Sequence, residues 1–249
     1  MIYKILSILL FANFGLAQSH FSIPKKEKVT YSIKYGLING GSASLSMNYH
    51  NKESNTYRIV GKGESNYFIN LFFPVKETYL TEINKTTLLP IYFYANIIEG
   101  NFKKTQELNY FHKENVVQNI NEEKFTLTDS AHNFLSAFFY YKNLLPNKLE
   151  ENYKLKIPLF FENTGHYIME VIFLKEELVS TKFGDINCLK FMPKVIPGRI
   201  FKNETDLTIW ISNDPNRLLI KVEMGILVGK IYAIINSYEN IKFPLSINE

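Results

Sequence analysis

Val29, Tyr31, Ile33 and Tyr35 alternate with Thr30, Ser32 and Lys34, and a few residues on Ala43, Leu45, Met47 and Tyr49 alternate with Ser42, Ser44, Ser46 and Asn48. A period of two places one set of side chains on each face of a pleated strand, so each run reads as a half-buried β-strand. Gly36-Leu37-Ile38-Asn39-Gly40-Gly41 between them supplies turn chemistry, and the pair reads as an antiparallel hairpin with one buried face. The pattern recurs along the chain. Further strands are expected at 56–61, 75–83, 91–98, 105–112, 116–120, 154–161, 167–174, 186–192, 207–211, 218–223 and 226–235, with Asn- and Gly-rich connections between them.

One segment departs from this period. Ala131, Phe134, Leu135, Phe138, Phe139 and Leu145 are spaced near 3.6 residues, with Asp129 or Ser130 placed to cap and Pro146-Asn147 placed to stop. Tyr140 and Tyr141 widen its apolar face, which predicts a helix lying against the sheet. Strands at regular spacing with one short helix predict a mainly β fold: an antiparallel, curved or half-open barrel-like sheet with the helix packed on it. A sheet of two lobes splitting near the helix is the alternative.

The N-terminus carries one lysine, Lys4, then an apolar run from Ile5 to Leu16 and the small residues Gly15 and Ala17. This is the pattern of a cleavable secretory signal, and cleavage is expected after Ala17. The run is shorter than the ~20 apolar residues of a membrane-spanning helix, and no cysteine stands at the cut to take a lipid. Residues 1–17 are therefore expected as signal peptide and 18–249 as a single β-rich domain, with no membrane span in the mature chain. The expected location is the periplasm, with secretion as the alternative.

Net charge falls from +4 to +3 as Lys4 leaves, and the basic residues are interspersed with acidic ones. That is a solvated surface with no footprint for nucleic acid. Cys188, the only cysteine, rules out an intramolecular disulfide and sits in an alternating context that suits a small buried hydrophobe.

The chain carries few recognisable chemical motifs. The histidines His20, His50, His112, His132 and His166 show no zinc-ligand spacing, and no serine sits in a nucleophile elbow. Gly61-Lys62-Gly63-Glu64-Ser65 has some likeness to a phosphate loop, but no amphipathic helix is expected after it, and it reads as a strand-end bend. No metal or cofactor is expected. Glu77, Glu99, Glu204, Asp206 and Asp214 leave open a hydrolase using paired carboxylates, although the overall reading is non-enzymatic. The segment around the only tryptophan is the candidate binding site. Arg199 and Arg217 bracket a strand in which Leu207, Ile209 and Ile211 face one way while Thr208, Trp210 and Ser212 face the other. An indole flanked by guanidinium groups suits a lipid headgroup or a sugar, but the reading preferred for Trp210 is a structural one, in which it fills a packed barrel or stacks on an arginine.

Several stretches carry a family resemblance: residues 31–41, Val75-Lys76-Glu77-Thr78-Tyr79, the helix Leu135-Ser136-Ala137-Phe138-Phe139-Tyr140-Tyr141, Cys188-Leu189-Lys190-Phe191-Met192-Pro193, Pro197-Gly198-Arg199-Ile200-Phe201 and Leu207-Thr208-Ile209-Trp210-Ile211-Ser212. Taken in order, they resemble a family of exported proteins, common in Gram-negative Bacteroidota, catalogued as a domain of unknown function. The resemblance implies a β-rich exported protein, similar in shape to half-open barrels that carry lipids or lipoproteins across the periplasm. Asn213 and Leu219 depart from the family pattern, which has an acidic residue and a proline there; the first weakens any cation site in that turn.

The sequence is compatible with three functions. The leading one is a binder of a hydrophobic or amphipathic envelope component, a lipid or lipoprotein, in a cavity between sheet and helix that is lined by Phe and Tyr. The second is an envelope interaction protein, and the third is the hydrolase.

Overall fold

The structure, a computed structural model, describes residues 26–51, 55–146, 148–198, 201–226 and 229–248. The expected export signal and Arg199 lie outside them. The first hairpin forms as the alternation demands, β1 (Lys26–Tyr35) against β2 (Ile38–Asn51), but its turn is only Gly36-Leu37. Gly40 and Gly41 belong to the strand. A Cβ on Gly41 would collide with the Glu64 carbonyl of the neighbouring strand, so this close approach requires glycine.

The chain continues as a meander through β3 (Thr56–Ser65), helix α1 (Tyr67–Phe72), β4 (Val75–Asn84), β5 (Pro90–Glu99), β6 (Phe102–Phe111), β7 (Val116–Asn119) and β8 (Lys124–Thr126). Helix α2 (Phe134–Lys142) follows, then β9 (Lys154–Phe161), β10 (Gly165–Thr181), β11 (Gly184–Pro193), β12 (Leu207–Ser212), β13 (Leu219–Gly225), β14 (Lys230–Glu239) and β15 (Ile247–Asn248). All lie in one antiparallel sheet in the order β8-β7-β6-β5-β4-β3-β2-β1-β14-β13-β12-β11-β10-β9, with β15 added beside β11. The expected class is therefore found: a mainly β, barrel-like sheet that strand pairing does not close.

Four local expectations change. Residues 61–65 continue β3 and do not bend out of it, because Gly61 to Glu64 pair in register with Tyr79 to Lys76. A second helix, α1, follows at once, capped by Asn66, whose side chain accepts from Ile69 N at 3.0 Å. Helix α2 begins later than expected. Its cap is Asn133, which accepts from Ser136 N at 3.0 Å, because His132 just before it is held to β9: His132 N donates to Pro158 O and Phe160 N donates to His132 O, both at 2.9 Å. Finally, the apolar run over 226–235 is split by the turn at Gly229 (φ +82°), so β14 starts at Lys230.

The sheet curls around α2. Leu135 and Phe139 pack with Met47, Tyr57, Ile59 and Ile83 of β2–β4. Ala137 on another flank packs with Ile157, Leu159, Phe173 and Phe191 of β9–β11. A helix enclosed on two sides needs apolar residues around most of its circumference, which the run FLSAFFYY supplies. Each fully buried Phe or Leu contributes about 1.5–3 kcal/mol of transfer free energy. The exception in this apolar surround is Lys142 on α2, whose Nζ meets Glu27 Oε1 of β1 at 3.0 Å, with both side chains almost fully buried.

No helix among the described residues is long and apolar enough to cross a membrane.

Candidate functional site

The two ends of the sheet path, β8 and β9, meet without a ladder. The seam is held by other means. His132 covers the β9 edge through its backbone, and Glu162, just past β9, receives Gln106 Nε2 and Asn119 Nδ2 of β6 and β7 at 3.0 Å each, with Lys104 Nζ at 3.5 Å. Side-chain latches leave more space than the ~4.8 Å interval of a paired strand. Beside the β9 side of this seam, a cavity of about 170 Å³ lies between β4–β6, the end of β9 and the first turn of α2.

Its wall follows from the register. Phe93, Ala95 and Ile97 alternate along β5, while Gln106, Leu108 and Tyr110 alternate along β6. Ala95 stands directly opposite Tyr79 on one neighbouring strand and Gln106 on the other, and its small side chain is where the wall recedes. Phe160 and Phe161 close the β9 side. Asn133 and Phe134 come down from α2; the Phe134 ring is 39% exposed and meets Tyr79 and Phe93 edge-on at 5.1 and 5.8 Å. Phe134 is thus placed at the mouth. Six aromatic rings and no charged side chain line the cavity.

Besides Gln106, whose amide is spent on Glu162, two polar groups converge inside. Asn133 Nδ2 donates to Thr81 Oγ1 at 2.9 Å and its Oδ1 is spent on the helix cap. The Tyr110 hydroxyl, on a residue only 5% exposed, lies beside Asn133 without a hydrogen bond of normal geometry. Burial raises its pKa well above the ordinary phenol value, so it stays a neutral O–H donor. A buried unbonded hydroxyl costs about 1–3 kcal/mol, which a ligand oxygen placed there would recover. Chemically the cavity can hold one ring or a short stretch of alkyl chain; an apolar cavity of about 150 Å³ accepts benzene, whereas drug-sized ligands need about 300–1,000 Å³.

The residues singled out by sequence lie elsewhere. Neither Trp210 nor Arg217 lines this cavity. Trp210 is 3% exposed and packs with Val179, Ile186, Cys188 and Leu218. The cations over its ring are Lys190 and Lys221, its cross-strand neighbours, at 4.9 and 4.3 Å, and its Nε1 donates to Glu177 Oε2 at 3.2 Å. The Glu177 carboxyl is held below the usual range by Lys190 at 2.9 Å, with Trp210 and Lys175 adding to the effect. Arg217 sits in the β12–β13 turn at φ +51°, where Nη1 donates to Asn213 Oδ1 at 2.9 Å. The same turn ties down the C-terminal segment: Asn216 exchanges two hydrogen bonds with the Phe243 backbone, and Asp214 accepts from Ser246 N.

The carboxylates considered for hydrolysis include turn residues. Asp206 accepts from the Asn203 and Lys202 amides at 2.7 and 2.9 Å, and these hold its carboxyl low, the Asn203 amide first. Asp214 accepts from Asn216 N at 2.8 Å. Cys188 is fully buried, and burial pushes its thiol up to about 12, so it is the inert core residue its strand context suggested. Among the described residues no three His, Cys, Asp or Glu side chains are grouped as a metal site would need. The cavity residues themselves escaped the sequence reading because they come from five segments of the chain; only the 93-95-97 and 106-108-110 alternation hinted at a shared face.

Comparison with known proteins agrees with this architecture. Residues 30–236 match the family described as Protein of unknown function (DUF3108). No curated protein matches the chain. A beta-barrel-like protein of the domain of unknown function DUF1849 from Brucella abortus superposes with a TM-score of 0.59 at 8% identity, over 88% of this chain and 99% of that one, a likeness of fold alone. A Bacteroides fragilis protein with a YmcC-like fold aligns over 86% of this chain and 95% of its own, at 9% identity and a TM-score of 0.36.

Proposed function

Because this chain belongs to the DUF3108 family, whose description carries no activity, we propose its function from the cavity: it binds the apolar end of an amphipathic envelope component, an acyl chain or a comparable group. The observation that carries this reading is the charge-free cavity of about 170 Å³ with the unbonded Tyr110 hydroxyl inside it. The rings supply dispersion and hydrophobic transfer, and Tyr110 supplies one donor to fix an oxygen of the ligand. The volume limits what enters to part of a lipid, so the headgroup stays outside, near Phe134 and the Glu162 latch. The protein acts as a binder, with no catalytic step. We further hold that residues 1–17 direct export, that cleavage follows Ala17, and that binding takes place in the periplasm, or outside the cell if the protein is secreted onward.

The direct experiment is titration of the delipidated mature protein with cis-parinaric acid, alongside solvent extraction of the undenatured protein and mass spectrometry of the extract. Saturable enhancement of the probe is expected in the parent protein, weakened in Tyr110→Phe. Equal binding by parent protein and Ala95→Leu, in which the wall no longer recedes, would sink the reading. For location, the intact mass from a periplasmic extract is expected to begin at Gln18; an uncut cytoplasmic product overturns that part alone.

A further inference from the structure

At the end of the sheet where β3 passes to β4, the chain presents apolar side chains to solvent in a way that folding does not require. Helix α1 has no buried residue: Tyr67, Phe68, Leu71, Phe72 and Phe73 are between 54% and 88% exposed. A fully covered aromatic side chain removes about 150–250 Å² from water, and most of that area is still open on these rings. This is not a loose linker. Asn66 caps the helix and also donates from its backbone to Gly40 O at 2.9 Å and from its side chain to Asn39 O, which fastens α1 to the β1–β2 hairpin. On its other side Gly100 N donates to Pro74 O at 2.8 Å, and the Phe73 ring lies so close to Gly100 that a Cβ there would come within 2.6 Å of it.

These bonds join three tips into one rim. Leu37 and Ile38, at the β1–β2 turn, are 102% and 60% exposed, and Phe102 begins β6 beside the Gly100 turn. Set one step back from the tips are exposed lysines: Lys34 before the first turn, Lys76 after α1, and Lys103 after the third turn. None of the three makes an ion pair among the described residues. Glu64 faces Lys76 across β3–β4, whereas the cross-strand partners of Lys34 are Asn39 and Tyr232, and that of Lys103 is Ile98. Apolar tips with aromatic residues at the front and unpaired ammonium groups behind match the profile of a membrane interface, hydrocarbon first and anionic headgroups next.

We propose that this rim docks the protein on an anionic lipid surface, with α1 and the Leu37-Ile38 tip entering the interface and Lys34 and Lys103 resting on the headgroups. Rigid presentation matters here, since side chains already ordered lose little conformational entropy on insertion. The proposal is independent of what the cavity holds.

The test is co-sedimentation of the mature protein with vesicles of equal parts phosphatidylglycerol and phosphatidylethanolamine, compared with pure phosphatidylcholine. Binding is expected to the anionic vesicles and to weaken with salt. Phe68→Ser with Phe72→Ser should reduce it by at least about tenfold. Lys34→Gln with Lys103→Gln should remove the preference for anionic lipid while retaining weak binding. All four positions are exposed, so thermal unfolding and cis-parinaric acid titration of the variants should match the parent; that control separates this rim from the cavity. Absence of vesicle binding, or full binding by the Phe68/Phe72 variant, overturns the proposal. A constant protein crosslinked in cells through position 68, with no vesicle binding, would make the rim a protein interface and equally overturn it.

Discussion

The Trp210 ring has an ammonium group to either side, from Lys190 on β11 and Lys221 on β13, and its indole N–H ends on Glu177, which itself pairs with Lys190. Packing and charge are joined in one unit. Trp210→Ala should therefore cost about 3–5 kcal/mol, the range for a large aromatic removed from a core, read as a fall in urea midpoint; Trp210→Phe should lose far less. A loss for Trp210→Ala within the scatter of surface substitutions would show the ring to be dispensable for folding. The alternation Leu207 to Ser212 was legible in the chain, since period two needs only local sequence. Which cations flank the indole was not, because cross-strand partners lie 11 to 20 positions away and no local pattern names them. His132 offers a second residue-scale test. It is fully buried, its Nδ1 lies 3.1 Å from Ser136 Oγ, and its Nε2 has no partner. Burial first, and His112 second, lower its pKa from 6.5 to about 4. Below 6.5 the unfolded chain takes up a proton that the folded chain refuses, so the stabilisation is complete above about pH 6.5 and is lost as pH falls to about 4. The maximum is about 3 kcal/mol. His112, also lowered mainly by burial, steepens the same window. Denaturant midpoints between pH 4 and 7 should rise with pH, and His132→Gln should flatten the curve.

Helix α2 is the element on which the interior turns. Its 3.6-residue spacing was readable because Leu135, Phe138 and Phe139 recur on a period no strand can share. Its start was not, since the hold of β9 on His132 is a tertiary contact. Helix α1 was missed for the opposite reason: Tyr67 to Phe73 is apolar almost throughout, so it has no period to detect, and Asn66 as a cap was its only local signal. The most informative perturbation of α2 concerns Lys142 and Glu27. A 3.0 Å pair with 4% and 6% of its side chains exposed is costly to desolvate, yet half of it alone is worse. The Lys142 ammonium also sits 4.6 Å over the Phe139 ring. Glu27→Leu or Lys142→Met alone should destabilise by about 3–5 kcal/mol, whereas the double replacement should recover most of that loss. Additive losses in thermal unfolding would mean the two charges do not depend on each other.

At the scale of the whole molecule, the meander was foreseeable, because successive strands with short turns pair as neighbours. Two junctions were not: β1 against β14, which joins the two halves of the sheet, and the seam of β8 and β9, where pairing stops. Both depend on closing long stretches of chain, and neither leaves a local mark. The cavity is likewise assembled from distant segments, β4–β6, α2 and the end of β9, so one substitution tests the architecture and the proposed function together. Ala95 is buried, and ordinarily Ala→Leu at such a position forces neighbours apart at a cost of about 1–3 kcal/mol. Here the side chain has about 170 Å³ in front of it, bounded by Tyr79 and Gln106 on the adjacent strands. The longer side chain of the Ala95→Leu variant would cover apolar wall without straining it, and each added methylene buried there contributes about 0.8 kcal/mol. Ala95→Leu should therefore hold or raise the thermal midpoint of the delipidated protein while weakening cis-parinaric acid binding by at least about tenfold, a loss of roughly 1.4 kcal/mol or more. Stability and binding moving in opposite directions is the signature of a cavity kept open for a ligand. A drop in midpoint with binding intact would mean that the cavity is already filled by its own side chains in solution.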